Sequence, residues 1–207
     1  LLRKPVFSSW AELLGADGAD GKALLKEIFD ERVGVLEGDL TDMPEITEPF
    51  DSVIHSASSV SFDPPIDEAF RTNVGGAQNL YEALLASGQD PHVIHVSTAY
   101  VGGISKGLRQ EGSLQADVDW RAEYEAALQA RARVDAESRR PETLRSQINA
   151  ATGRHGRMGP KAVASASEEA RREWVDERLI DFGRTRAQSV GWTDIYTFTK
   201  AMAEQVA

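Results

Sequence analysis

The stretch HVIHVSTAYVGG, residues 92–103, decides the fold. Val93, Ile94 and Val96 make a short apolar run that ends on Ser97 and Thr98. A run of this length reads as a buried strand over 92–98 rather than as a helix. DSVIHSAS, residues 51–58, repeats the pattern with Val53 and Ile54 at its centre. Between the two, Phe70, Val74, Ala77, Tyr81 and Leu84 recur at steps of three or four, which predicts a helix over 66–86. RVGVLEGD, residues 32–39, reads as one more short strand, and GKALLKEIF, residues 21–29, as a helix with Leu24, Leu25, Ile28 and Phe29 on one face. Ser8 or Ser9 can cap a shorter helix carrying Trp10, Leu13 and Leu14. Short apolar strands separated by helices are the pattern of a parallel sheet in an α/β layer fold.

From about Glu111 to Gly191 the texture changes. The segment is rich in Ala, Arg, Glu and Gln and poor in β-branched residues. Trp120, Tyr124 and Leu128 mark one amphipathic helix, and Val175, Leu179 and Phe182 another. ATGRHGRMGP, residues 151–160, breaks them and is expected to be a mobile loop. The charge runs are expected to be solvated faces. This is a helical insertion between the last strand and the C-terminal helix.

The composition closes off several classes of function. The 207 residues are 41% hydrophobic, and no run approaches the roughly 18–20 apolar residues that span a bilayer. The formal net charge of −10 argues against a broad nucleic-acid surface. There are no cysteines and only four histidines without paired spacing, so no metal site is expected. No signal or transit peptide is visible, which makes a cytoplasmic location the default. The chain opens without Met on LLRKP, which reads as the end of a strand, so a fragment of a longer protein is expected.

The chemistry starts at YTFTKAMAE, residues 196–204. Tyr196 and Lys200 stand four apart on a predicted helix and are therefore neighbours. A free tyrosine titrates near 10. A neighbouring ammonium favours the phenolate, and that is how a tyrosine becomes a general acid or base near neutrality. Alone, such a pair is commonplace, a surface lysine beside a half-buried tyrosine. Three strand ends accompany it. Ser97 and Thr98 end one strand, where parallel α/β sheets bind their ligands and where a hydroxyl can donate to a developing oxyanion. His55, Ser56, Ala57 and Ser58 end another, and small residues there let a flat ligand lie against the backbone. His55 itself reads first as a buried, hydrogen-bonded residue. Asp39 and Leu40 end a third, with a carboxylate suited to an adenine amine. Each has an ordinary reading as a turn, but their combination with the Tyr/Lys pair is much less common.

This order of motifs resembles the extended short-chain dehydrogenase/reductase superfamily. Four stretches resemble the alcohol-forming fatty acyl-CoA reductases more closely: VIHSASSVSFDPPIDEAFRTNVGGAQNLYEAL, HVSTAYVGGISKGL, GWTDIYTFTKAMAEQ and, weakly, LEGDLTD. A helical stretch between the Ser/Thr and Tyr/Lys motifs also occurs in that family. The resemblance implies a Rossmann-like doubly wound parallel sheet with a long helical insertion, in a chain truncated at both ends. Residues 1–110 would be part of an NADP-binding domain lacking its first strand and glycine-rich loop, residues 111–190 the insertion, and residues 191–207 the Tyr/Lys helix of the same domain.

The implied reaction is reduction of a long-chain fatty acyl thioester, on CoA or an acyl-carrier protein, to the alcohol through the aldehyde. Tyr196, Thr98 and Lys200 would be catalytic. Asp39, Leu40, His55, Ser56, Ala57, Ser58, Asn73, Ser97, Tyr196 and Lys200 would meet the cofactor, with Asn73 matching a helix asparagine that organises the site. In this superfamily an acid after the second strand favours NAD, whereas an arginine accommodates a 2′-phosphate. Arg3 and Lys4 offer two cations and no acid, which implies NADPH. Three alternatives stay open: a two-electron thioester reductase releasing aldehyde, a sugar-nucleotide epimerase, and a non-enzymatic interaction module. Peripheral contact with a membrane also stays open. Gly75 and Gly76 inside the predicted helix cost it roughly 1 kcal/mol each, which predicts close packing there.

Overall fold

The protein is described by a computed structural model covering residues 19–108, 110–112, 114 and 117–207. Arg3, Lys4 and the helix expected after Ser8 or Ser9 lie outside the described residues. The chain divides into two units, residues 1–38 and 39–207. In the first, α1 spans Ala19–Arg32, which agrees with the apolar spacing. Ile28 and Phe29 are half-buried, but Leu24 is exposed. The strand expected over 32–39 does not form. Val33, Val35 and Leu36 are exposed. β-Propensity is a preference for a paired, half-buried surface, and with no ladder partner among the described residues Val-Gly-Val-Leu stays irregular.

The second unit holds two parallel strands, β1 (Ser52–His55) and β2 (His92–His95). Ser52 faces His92, and His55 faces His95. Both end sooner than the apolar runs suggest, so Ser56–Ser58 and Val96–Thr98 leave the ladder. One further bond, from the Val96 amide to the His55 carbonyl at 2.9 Å, marks where β2 ends.

The crossover between them is helical throughout 66–86, as expected, but not uniform. The α2 turn (Ile66–Ala69) widens into a π-helical segment, Phe70–Gly75, before α3 (Gly76–Ala86). The two glycines sit where neighbours come closest. A Cβ on Gly75 would lie 2.5 Å from the Tyr124 hydroxyl, and one on Gly76 would lie 3.0 Å from the Leu40 Cβ.

Helices α4 (Trp120–Ser138), α5 (Pro141–His155) and α6 (Pro160–Ser189) follow. Asp119 caps α4, accepting from the Arg121 amide at 3.0 Å, and Pro141 and Pro160 open the other two. A first-turn proline loses no helical hydrogen bond. The mobile loop expected at 151–160 is instead a tight reversal. Helix α5 runs to His155, a 3₁₀ turn spans Gly156–Met158, and Gly159 takes φ +94° directly before Pro160. A glycine at positive φ followed by a proline pre-set for helix turns the chain directly into α6.

The apolar face of α4 is turned slightly from expectation. Ala127 and Ala130 are buried while Leu128 is 37% exposed. Small residues at that face allow α4 and α6 to approach. The charge runs are not all solvated faces either. Arg131 bridges Asp67, Glu68 and Asp176, and Arg171 bridges Asp135 and Glu168.

Helix α7 (Ile195–Glu204) closes the unit, capped by Asp194 through the Thr197 amide at 2.7 Å. Ile195 and every residue from Thr197 to Ala203 are buried. Its Ile195, Phe198 and Met202 join Phe70, Val74 and Leu179 in one core. At roughly 1.5–3 kcal/mol for burying such a side chain, this core anchors α7 and fixes which way Tyr196 and Lys200 project.

Candidate active site

Lys200 is only 3% exposed, and its ammonium donates to the Val96 carbonyl at 2.7 Å. That bond carries the helix α7 cation to the carboxyl end of β2, next to Ser97 and Thr98. Burial pushes Lys200 below the ordinary lysine range, with the Glu204 carboxylate one turn on opposing the shift. Thr98 caps the 3₁₀ turn Ala99–Gly102, its hydroxyl oxygen accepting from the Tyr100 amide at 3.4 Å. That contact occupies a lone pair and leaves the O–H free to donate. The Ser97 hydroxyl oxygen is buried and has no hydrogen-bond partner among the described residues.

Tyr196 begins the same helix and is the one residue of its first two turns that is not buried. Its amide donates to the Phe62 carbonyl at 3.2 Å, and its ring meets Phe62 edge-on at 5.7 Å. Phe62 is 63% exposed. On the other side the Val101 carbonyl accepts from the Trp192 indole at 2.8 Å, and the Gly191 carbonyl accepts from the Ile104 amide at 2.7 Å. The loop after β1 therefore meets Tyr196 itself, and the loop after β2 meets the residues that lead into its helix.

Asn73, in the π-helical segment, is 2% exposed. Its carbonyl oxygen accepts from the Ser59 amide at 2.7 Å, and its amide donates to the Thr199 hydroxyl at 2.9 Å. It ties the end of β1 to the Tyr/Lys helix. These bonds hold its side chain between Ser59 and Thr199.

His55 is 4% exposed and stacks edge-on against His95 and Tyr81. His95 shares a hydrogen bond with the Tyr81 hydroxyl through Nδ1. Burial, then Lys200, then His55 pushes His95 down to about 4; burial and Lys200 lower His55. Ser56 and Ala57 are exposed and Ser58 is half-buried, which leaves the end of β1 open. Asp39 sits in a turn rather than at a strand end. Its carboxylate accepts from the Thr41 amide at 2.8 Å and hydroxyl at 2.7 Å, which holds it below the usual carboxylate range. Leu40 packs over Gly76, and its carbonyl accepts from Asn79 at 2.7 Å. Thus named bonds tie Asn73 to Thr199 and Thr199 to the Tyr196 carbonyl, and Lys200 to the Val96 carbonyl, two residues before Thr98. Asp39 and Leu40 adjoin the helix that follows Asn73. Among the described residues no group of His, Asp or Glu could hold a metal ion.

Sequence reasoning missed Phe62, Tyr81, His95 and Trp192 as parts of this region. Phe62 carried the one available signal, a large aromatic seven residues after His55 in an otherwise small-residue loop.

Parallel strands joined through a helix, β1 and β2, make an α/β unit of the kind that Rossmann-like folds repeat. A sequence profile for a family of NAD-binding domains described as "Male sterility protein" matches residues 17–207, and the chain belongs to that family. It is similar to fatty acyl-CoA reductase 1 of Arabidopsis thaliana, 24% identical over 180 residues, 87% of this chain and 31% of that protein. It is also similar to the alcohol-forming fatty acyl-CoA reductase of Simmondsia chinensis, 24% identical over 85% of this chain and 33% of that protein. The chloroplastic fatty acyl-CoA reductase 2 of Arabidopsis thaliana is 28% identical over 86% of this chain and 25% of its own length. The chain spans a third or less of the length of these relatives.

Proposed function

We propose that this chain supplies the cofactor and proton-transfer site for NADPH-dependent reduction of a long-chain fatty acyl-CoA. The observation that carries the reading is the Lys200 bond to the Val96 carbonyl, which joins the Tyr/Lys helix to the strand end bearing Thr98. The acyl-CoA substrate class rests on the likeness to the fatty acyl-CoA reductases; an acyl-carrier protein as donor is the variant of the same chemistry. The alcohol, formed through the aldehyde, is the product we favour on the name of the Simmondsia relative. We read β1 and β2 as neighbours in a doubly wound sheet, with the helices of 111–190 inserted before the Tyr/Lys helix. Among the described residues no helix is long and apolar enough to cross a membrane.

The donor set suits a nicotinamide dinucleotide. Ser56 and Ala57 leave an open surface after β1, and the buried Ser97 hydroxyl oxygen has no partner of its own. Lys200, Ser97 and the residues after β1 would hold the cofactor. NADPH would supply the hydride that reduces the thioester carbonyl carbon; loss of the CoA thiol would leave the aldehyde, and a second NADPH would reduce the aldehyde to the alcohol. Tyr196 donates the proton that the carbonyl oxygen needs as negative charge builds on it. Thr98 donates a hydrogen bond to the same oxygen. Lys200 keeps positive charge beside Tyr196, one helical turn away. Losing one positioned donor of this kind typically costs on the order of 10²–10³ in rate.

Tyr196→Phe tests the assignment. It removes only the hydroxyl, so NADPH affinity should stay within a few-fold while turnover with palmitoyl-CoA is mostly lost. Steady-state NADPH oxidation reads both, and near-wild-type turnover would take Tyr196 out of the mechanism. Cofactor choice has its own test. Arg3→Ala should weaken NADPH far more than NADH, since a charge-assisted hydrogen bond is worth about 1.5–3 kcal/mol. Equal losses for the two cofactors in a binding titration would mean that Arg3 does not read the phosphate.

A further inference from the structure

The insertion touches both walls of the Tyr196 site, and it does so through two consecutive residues of α6. Gly183 faces the start of α7. A Cβ built on it would lie 2.7 Å from the Ile195 Cδ1 and 2.8 Å from the Ile66 Cβ. Only glycine lets α6 come so near the residue that precedes Tyr196. Arg184, next in sequence, reaches the other wall. Its Nη2 donates to the Asp63 carboxylate at 2.9 Å. Asp63 follows Phe62, whose carbonyl accepts from the Tyr196 amide and whose ring meets the Tyr196 ring. The second Asp63 oxygen is buried without a hydrogen-bond partner among the described residues.

We propose that Gly183 and Arg184 are positioning residues that set the register between the Phe62 loop and the Tyr196 helix. Gly183 fixes how close α6 lies to α7, and Arg184 draws the loop to the same stretch of α6. The Phe62 carbonyl is then held at the first turn of α7, where an amide has no partner within its own helix. An exposed ion pair adds little to global stability. Its effect here is on the position of the loop, and a displacement of about 1 Å near reacting groups can cost on the order of 10²-fold in rate. The insertion thereby acquires a task in the site without contributing a group to the chemistry. The effect on turnover rests on the reductase reading; the effect on the loop does not.

Two measurements on the full-length protein separate these. Amide hydrogen exchange at Tyr196 and over residues 59–65 reports the register directly. Arg184→Gln and Asp63→Asn should each speed exchange there several-fold while the melting temperature barely moves. Exchanging the charges, Asp63→Arg with Arg184→Asp, should restore most of the protection. With NADPH and palmitoyl-CoA, the single variants should lose about tenfold or more in kcat with little change in KM, and the exchanged pair should regain it. Unchanged Tyr196 exchange in both single variants overturns the proposal, as does a charge exchange that restores neither protection nor turnover. If the wild-type protein oxidises no NADPH with palmitoyl-CoA, the reductase reading falls and the exchange data alone decide the positioning pair.

Discussion

His95 stands opposite His55 across the two-strand ladder, with their rings 5.1 Å apart. Neither ring can take a proton cheaply, because burial and the Lys200 ammonium both oppose a second cation. For His95 the value falls from 6.5 to about 4. Within that window the unfolded chain binds a proton that the folded chain refuses, so stability rises with pH there. Acidifying from pH 7 should therefore lower the melting temperature, beginning near 6.5 and continuing toward 4. A His95→Asn variant, which lacks this titration, should lose less over the same range. Parallel curves for the two proteins would mean that His95 titrates alike in the folded and unfolded chains. The pairing of these histidines was not readable from the chain. Both carry the step-two alternation of a strand, but only the ladder register brings them face to face. Tyr196 and Lys200 were readable because four residues along a helix fix adjacency without tertiary information.

At the scale of elements, the π-helical segment Phe70–Gly75 joins α4 to α7 and to the loop after β1. Asn73 lies within it and bonds Ser59 and Thr199, while Gly75 admits the Tyr124 hydroxyl from α4. Tyr124 also stacks on Phe70 with rings 6.0 Å apart and nearly parallel, which limits how far it can retreat. Gly75→Ala gains about 1 kcal/mol of helix propensity. Against that, overpacking of a filled site costs typically 1–3 kcal/mol, and the 2.5 Å approach puts this site toward the upper part of that range. The variant should be destabilised by about 1 kcal/mol. Adding Tyr124→Phe removes the nearest atom and should return most of the loss, as read by urea denaturation of the four proteins in the cycle. Equal losses with and without the Tyr124 hydroxyl would relocate the strain. The glycine pair announced close packing in the sequence. It did not say that the partner of Gly75 is an insertion helix, because contacts between segments so distant in the chain leave no periodic trace. The strand expected over 32–39 has no pairing neighbour among the described residues, and a strand needs one. The Gly159–Pro160 reversal is different. Its residues were in view, and weighting their backbone chemistry over their loop-like composition would have given the turn.

The second unit as a whole is unevenly protected. Its helices bury Phe70, Leu179, Ile195, Phe198 and Met202 completely, yet among the described residues its sheet is two strands with apolar side chains in the open. Ile54 is 66% exposed and Ile94 44%. Val93 and Val96 are exposed as well. Parallel strands are ordinarily covered on both faces, and a two-stranded sheet is marginal in water. Unpaired strand edges beside exposed valine and isoleucine are templates for pairing with another chain. Residues 1–207 expressed as a free polypeptide should therefore associate through the sheet while the helices of 120–204 stay folded. Size-exclusion chromatography coupled to light scattering should show species above the monomer mass of 22.6 kDa. Hydrogen exchange should be slow in α6 and α7 and fast in β1 and β2. Ile54→Lys with Ile94→Lys should shift the distribution toward monomer without loss of helical circular dichroism, because both side chains face solvent and neither joins the core. Charges on an exposed strand act against edge-to-edge pairing by placing like charges at the contact. A monodisperse monomer at micromolar concentration, insensitive to these two lysines, would show that the open apolar surface of the sheet does not drive association.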